Sequence, residues 1–261
     1  MTCAEYEQFA EFYDHVPLYR DRPDVDFFVG LAREAGGDVL EVACGSGRVL
    51  IPCARAGATL VGVDLSAGML AQARTHLASE ATDVQARVTL VQGDMRALDL
   101  RRRFALITLP FRGFQHLMTP ADQREALRRF KAHLAPGGLL VLDLFNPSIP
   151  FLGDERFTMH PMVEPAFTMP DGRTVVRSYR IASRDYAHQS QVVEFTFAIT
   201  HPDGRTEQTT EQFAIRYTFR YELEYLLECA GFRVEAIYGD YSRRPYGEIY
   251  PGEIIALARV A

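Results

Sequence analysis

Residues 38–64 restrict what this chain can fold into more than any other stretch. They read DVLEVACGSGRVLIPCARAGATLVGVD, a strand, a glycine loop, a helix and a second strand that ends on an acid. Val39, Leu40 and Val42 make a short apolar run suited to a buried parallel strand, and the following Ala43-Cys44-Gly45-Ser46-Gly47 are nearly all small. A bulky side chain there would block whatever docks on the loop. Glycine permits tight turning and close backbone approach, and a helix starting just beyond aims its unpaired N–H groups and positive dipole end at a ligand. Residues 59–63 form a second apolar strand with Asp64 at its carboxyl end, the edge where open α/β sheets bind ligands.

Two glycine signatures compete for this loop. The dinucleotide fingerprint G-x-G-x-x-G/A needs a small third residue, whereas Gly45-Ser46-Gly47-Arg48-Val49-Leu50 supplies leucine. That disfavours an NAD-dependent oxidoreductase. The stretch resembles motif I of the class I S-adenosylmethionine (SAM) dependent methyltransferases, commonly written E-x-A-C-G-x-G-R-x-x-x-P. Here it stands as Glu41-Val42-Ala43-Cys44-Gly45-Ser46-Gly47-Arg48, with Pro52 following.

The resemblance implies an α/β fold with a Rossmann-like, seven-stranded, mostly parallel sheet, SAM as cofactor and S-adenosylhomocysteine as product. Gly45 and Gly47, among Ala43, Cys44, Ser46 and Arg48, become the floor under the methionine moiety, and Glu41 a partner of its ammonium through water or backbone. Asp64, with Leu65 beside it, takes the ribose. Met69 packs on adenine, Asp94-Met95 reads the adenine edge, and Leu109 joins the cofactor set. An N-terminal flap brings Tyr13-Asp14 near the sulfonium end, where Tyr19-Arg20 can join them.

Composition narrows the function. The 261 residues suffice for one well-buried α/β domain plus a smaller insertion. A net charge of −6 argues against a nucleic-acid surface built on excess basic charge. The four cysteines, Cys3, Cys44, Cys53 and Cys229, form no C-x-x-C pair and no evenly spaced framework, so reduced thiols in the cytoplasm fit best. The start, MTCAEYEQFAEFYD, is acidic and unlike a secretory leader, and no apolar run is long enough to span a bilayer.

Along the chain, aromatic positions Tyr6, Phe9, Phe12 and Tyr13 give a helical pattern over residues 4–13, and residues 26–35 a second helix stopped by Gly36-Gly37. Ser66 is the natural N-cap of a helix over residues 67–77. Residues 88–91 form the third strand and end near Asp94, a second acid at a strand's carboxyl end. A carboxylate there can accept from a diol or an exocyclic N–H. Residues 104–109 form the fourth strand. Thr119 and Pro120 then open a helix that Pro136-Gly137-Gly138 closes before a fifth strand over residues 139–144.

The pattern then changes. Pro170-Asp171-Gly172 and Pro202-Asp203-Gly204 are hairpin-type turns among residues 174–183, 191–201 and 206–218, which predicts an antiparallel β insertion. A helix over residues 219–230 and two strands, residues 232–238 and 253–260, complete the sheet. With the resemblance, this pattern implies a flap (1–37), a SAM-binding core (38–150), an insertion covering the active site (151–218) and a C-terminal return to the core (219–261).

A sulfonium methyl is already an activated electrophile, so the protein need only align a nucleophile and exclude water, and no metal is required. The seven histidines lack metal-ligand spacing. If the acceptor is an amine, a histidine near neutral pKa can remove or hold its proton, and His116 in the loop after the fourth strand is the candidate. FRGFQHLMTPADQREAL is similar to the corresponding loop of sugar N,N-dimethyltransferases, in which the matching histidine is the proposed base and a β insertion lies over the pocket. Arg216, Tyr217, Tyr250 and Glu253 are expected on the pocket side. The partner is thus a small-molecule methyl acceptor, most readily at nitrogen, with neither nucleic acid nor membrane, and a homodimer is compatible with this. A small-molecule O-methyltransferase and a non-catalytic SAM-binding regulatory protein are the alternatives.

Overall fold

The computed structural model describes Tyr6 and residues 9–261. Seven strands make the main sheet: β1 (Val39–Val42), β2 (Leu60–Asp64), β3 (Val88–Gln92), β4 (Phe104–Leu109), β5 (Leu134–Phe145) and the terminal pair Phe232–Tyr238 and Glu253–Val260. Between β5 and that pair, a second sheet is built from β6 (Met162–Val163), β7 (Phe167–Thr168), β8 (Thr174–Asp185), β9 (Ser190–Thr200) and β10 (Thr206–Arg216), so the terminal strands are β11 and β12. The main sheet runs in the order β11-β12-β5-β4-β1-β2-β3. Only β12 opposes its neighbours. The second sheet is antiparallel, in the order β10-β9-β8-β6 with β7 also on β8.

The main sheet is covered on both faces because its strands are apolar on both, as parallel strands require. Along β1, Leu40 and Val42 join one core with Phe114, Phe130, Leu223 and Leu227. Val39 joins the other, with Phe28, Leu31, Leu50 and Leu70. The first core lies under α7 (Pro120–His133) and α10 (Arg220–Cys229), the second under α3 (Val25–Ala35), α4 (Leu50–Arg55) and α5 (Ala67–Ala78). Local sequence sets these helix starts. Ser66 Oγ accepts from Met69 N at 3.1 Å, and Thr119 Oγ1 accepts from Asp122 N at 3.0 Å ahead of Pro120.

A third core joins the N-terminal segment to the second sheet. Its helices α1 (Ala10–Tyr13) and α2 (Pro17–Arg20) are single turns, and Phe9, Phe12, Tyr13 and Tyr19 pack with Phe195, Phe197 and Ile215. The expected helix over residues 4–13 is seen only as α1, and its earlier part, like Cys3, lies outside the described residues apart from Tyr6 and Phe9.

One expectation needs correction. Pro136-Gly137-Gly138 does not separate α7 from its strand. β5 begins directly after α7, and the three residues fall where its register against β4 shifts between Phe104 and Leu106, with Gly137 at φ 73°. The stretch before β8, to which the sequence pattern assigns no element, holds helical turns as well as the short strands β6 and β7. It carries α8 (Ile149–Leu152), capped by Ser148, and α9 (Arg156–Met159). Single turns leave no periodicity to read, as with α6 (Thr82–Gln85) before β3. Among the described residues no helix is long and apolar enough to cross a membrane.

Candidate active site

The carboxyl ends of β1 to β4 gather the predicted residues at one edge. Beyond β1 the backbone enters the left-handed region at Ala43 (φ 56°), Gly45 (φ 56°) and Gly47 (φ 85°), which folds the loop sharply before α4. Asp64 fixes that turn: Oδ2 accepts from Gly45 N at 2.8 Å and Oδ1 from Ser66 N at 2.9 Å. One carboxylate thus ties the glycine loop to the start of α5. Close packing of the loop also explains Gly113, where an added Cβ would come within 2.7 Å of Ala43 Cβ.

A cavity of about 500 Å³ opens at this edge. Of the expected cofactor residues, Tyr13, Ala43, Gly45 and Asp64 line it, as do Leu65, Met69, Asp94 and Met95, and His116 lines it too. Glu41, Cys44, Ser46, Gly47, Arg48 and Leu109 do not. Glu41 shares the face of β1 that Val39 takes and is buried, which pushes its carboxyl up to about 8. Burial likewise raises the Cys44 thiol. Gly47 packs on Ile51, and Leu109 is in the core.

Ser46 and Arg48 instead hold the N-terminal segment. Ser46 Oγ donates to Asp14 Oδ1 at 2.6 Å, and Arg48 donates to both oxygens of the buried Asp24 at 2.7 and 2.6 Å. Asp94 is held by Arg96, whose Nη2 lies 2.6 Å from Oδ2, and this keeps its carboxyl below the usual carboxylate range. Arg96 lines the cavity and was not anticipated.

Aromatic rings and arginines form the rest of the wall. His116 is 8% exposed, with Nε2 3.1 Å from the Tyr6 hydroxyl and its ring against Phe213 at 5.6 Å. Burial lowers its pKa to about 4, against a hydrogen bond with the Ala214 backbone that favours the charged form. Phe111 sits edge-on to Tyr19 at 4.9 Å and under the Arg22 guanidinium at 4.7 Å. Its N–H donates to Asp143 Oδ2 at 2.9 Å, as does the Tyr241 hydroxyl at 2.9 Å. Phe111 and Arg112 both adopt positive φ (50° and 71°), so Asp143 holds a loop of unusual backbone at the cavity.

Tyr6, Arg22, Arg177 and Glu164 also line the cavity. The aromatic series near the N-terminus signalled Tyr6, but a strand residue such as Arg177 carries no mark of its partners. Arg216, Tyr217, Tyr250 and Glu253 do not line it. Arg216 joins Gln123, Gln189 and Glu222 in a polar clamp between β10, α7 and α10. Tyr217 is buried, Tyr250 is exposed, and Glu253 pairs with Arg22 at 2.8 Å.

The residues present suit SAM. A loop with little side-chain bulk, a strand-end carboxylate facing a cavity and a second acid one strand along provide a floor, a diol acceptor and a polar edge.

Residues 39–138 match the methyltransferase domain family. A relative from Streptomyces fradiae, dTDP-3-amino-3,6-dideoxy-alpha-D-glucopyranose N,N-dimethyltransferase, is 31% identical over 256 residues, covering 95% of this chain and 93% of that protein. The Streptomyces venezuelae dTDP-3-amino-3,4,6-trideoxy-alpha-D-glucopyranose N,N-dimethyltransferase is 30% identical over 90% of this chain and 94% of its own. Among solved structures, a methyltransferase of Streptomyces caelestis shares the fold at a TM-score of 0.76 and 22% identity, with both chains covered completely. A SAM-bound amino pentose methyltransferase from Micromonospora echinaspora reaches a TM-score of 0.67 at 25% identity, covering 93% of each chain. With the glycine loop, the Asp64 anchor and the sheet order in place, these likenesses establish that the chain belongs to the class I SAM-dependent methyltransferases and transfers a methyl group to a small molecule.

Proposed function

We propose that this enzyme methylates the amino group of a sugar-type small molecule in the cytoplasm. The observation that carries this reading is His116, a neutral ring facing a largely aromatic cavity, in a chain alike over 95% of its length to a sugar N,N-dimethyltransferase.

In this reading Gly45 and Gly47 shape the floor under the methionine moiety, Ala43 and Leu65 complete the walls, and Asp64 holds the ribose. Cys44 and Leu109 support the loop from the core, and Glu41 reaches the methionine ammonium through backbone. Met69 covers adenine, whose edge meets Asp94-Met95. Ser46 and Arg48 act by holding the flap, which brings Tyr13 over the sulfonium end, and the second sheet roofs the acceptor.

Bound SAM supplies an electrophilic methyl. The protein's part is orientation and dryness. Tyr13, Tyr19 and Phe111 exclude water, and a desolvated amine loses its proton more easily because burial disfavours its charged form. His116 then holds an N–H of that amine, directly or through Tyr6, and turns the nitrogen lone pair toward the methyl. Incubation with SAM and dTDP-3-amino-3,6-dideoxy-alpha-D-glucopyranose should yield N-methylated product and S-adenosylhomocysteine. Turnover of hydroxyl acceptors alone would replace this reading by the O-methyltransferase.

The pKa of His116 gives a second expectation. With the ring neutral down to about pH 4, acceptor kcat/KM should show no inflection from this group between pH 5 and 8. The linked stability has the opposite sign to that of a salt-bridged histidine. The unfolded chain takes up the proton near pH 6.5 and the folded one only near 4, so stability falls as pH drops through that window. His116→Ala should lower kcat/KM about a hundredfold while leaving the Kd for SAM unchanged. Equal rates for variant and wild type on a turned-over amine would remove His116 from the reaction.

A further inference from the structure

The second sheet carries into the cavity a polar pair that neither the cofactor site nor His116 uses. Arg177 on β8 is 2% exposed and lies between two rings, 4.5 Å from the Tyr19 centroid and 4.6 Å from that of Phe195. Nε and Nη2 donate to the two carboxylate oxygens of Glu164 at 2.5 and 2.6 Å. Nη1 is buried and meets no acceptor in hydrogen-bonding geometry among the described residues, the Tyr19 side chain being the other polar neighbour of the guanidinium. Both residues line the cavity.

A buried guanidinium N–H without an acceptor is costly, and native proteins keep such groups where another molecule completes them. Two observations identify that molecule as the methyl acceptor. Phe195 touches Phe213 at 5.2 Å, and Phe213 touches His116 at 5.6 Å, so one continuous aromatic wall joins Arg177 to the histidine. An amine held at His116 therefore lays the rest of its body along that wall.

Charge identifies the group. Glu164 already balances the guanidinium through two short bonds and itself faces the cavity, so a phosphate or carboxylate placed at Nη1 would meet the Glu164 carboxylate. A hydroxyl meets no such repulsion: its oxygen accepts from Nη1 and its proton is donated to a Glu164 oxygen. We propose that Arg177 and Glu164 form a hydroxyl-recognition subsite that selects acceptors by a neutral hydroxyl on the body carrying the amine. This rests on the amine-acceptor reading above.

The test compares acceptors differing by one hydroxyl. One set is dTDP-3-amino-3,6-dideoxy-alpha-D-glucopyranose with its 4-deoxy and 2-deoxy counterparts. The other is 2-aminocyclohexanol against cyclohexylamine, with 2-aminocyclohexanecarboxylate as the anionic member. Wild type should favour a hydroxylated member by about ten- to a hundredfold in kcat/KM. In Arg177→Lys, which keeps a cation beside Glu164 but loses the fork, that ratio should fall to about one while the Kd for SAM stays unchanged. The doubly neutral Arg177→Met/Glu164→Gln variant should give the same ratio, and calorimetry with SAM confirms its folding. If the sugars are inactive but the cyclohexane pair shows the pattern, the sugar reading fails and the subsite stands. An unchanged ratio in both variants for every active pair, preference for the carboxylate, or no methylation of any member overturns the subsite.

Discussion

Asp64→Ala should weaken SAM binding by about a hundredfold or more, measured by calorimetry. The carboxylate has two duties. It accepts from Gly45 N and Ser66 N at 2.8 and 2.9 Å, and the residue lines the cavity. Hydrogen bonds to a charged group contribute about 1.5–3 kcal/mol each, so losing the loop anchor together with the ribose contacts proposed for this residue exceeds two factors of ten. Asp64→Asn keeps the shape of the side chain but offers one acceptor oxygen for three tasks, and should fall between. Binding within threefold of wild type in Asp64→Ala would remove this residue from the cofactor site.

The largest stability effect is expected at Asp24, which is fully buried. It takes both hydrogen bonds of Arg48 and stands 3.3 Å from Arg22 Nε. Asp24→Ala leaves the Arg48 guanidinium without its anion and takes one of several from Arg22, a type of change that destabilises by about 3–5 kcal/mol. For a chain of this size that lowers Tm by about 10 °C. Because Arg48 follows directly on the glycine loop, SAM affinity should drop as well. Thermal unfolding with and without SAM checks both, and a Tm within 2 °C of wild type would show that this pair contributes little.

The sequence made the cofactor half legible because its constraints are local. A loop that must turn left-handed calls for small residues at Gly45 and Gly47, and strand ends are visible where apolar runs stop at Asp64 and near Asp94. The strands over residues 104–109, 232–238 and 253–260 match β4, β11 and β12 for the same reason. What the sequence hid depends on long-range pairing. Arg48 reads as part of a ligand motif, yet its fork is committed to Asp24, twenty-four positions earlier. Arg216 reads as a pocket residue and instead clamps β10 to two helices. Arg177 sits on an alternating strand whose inward face reads as plain core until its neighbours across the sheet are known. Charged side chains on buried faces are the positions where local pattern says least, because their meaning lies in a partner.

The N-terminal segment touches two things at once. Through Asp14 and Asp24 it grips Ser46 and Arg48 of the glycine loop, and through Phe9 and Phe12 it lies on the second sheet. The glycine loop and the second sheet therefore share one element. Whatever free energy SAM contributes to settling that segment is reflected in the affinity for the acceptor, and reciprocity returns the same factor to SAM.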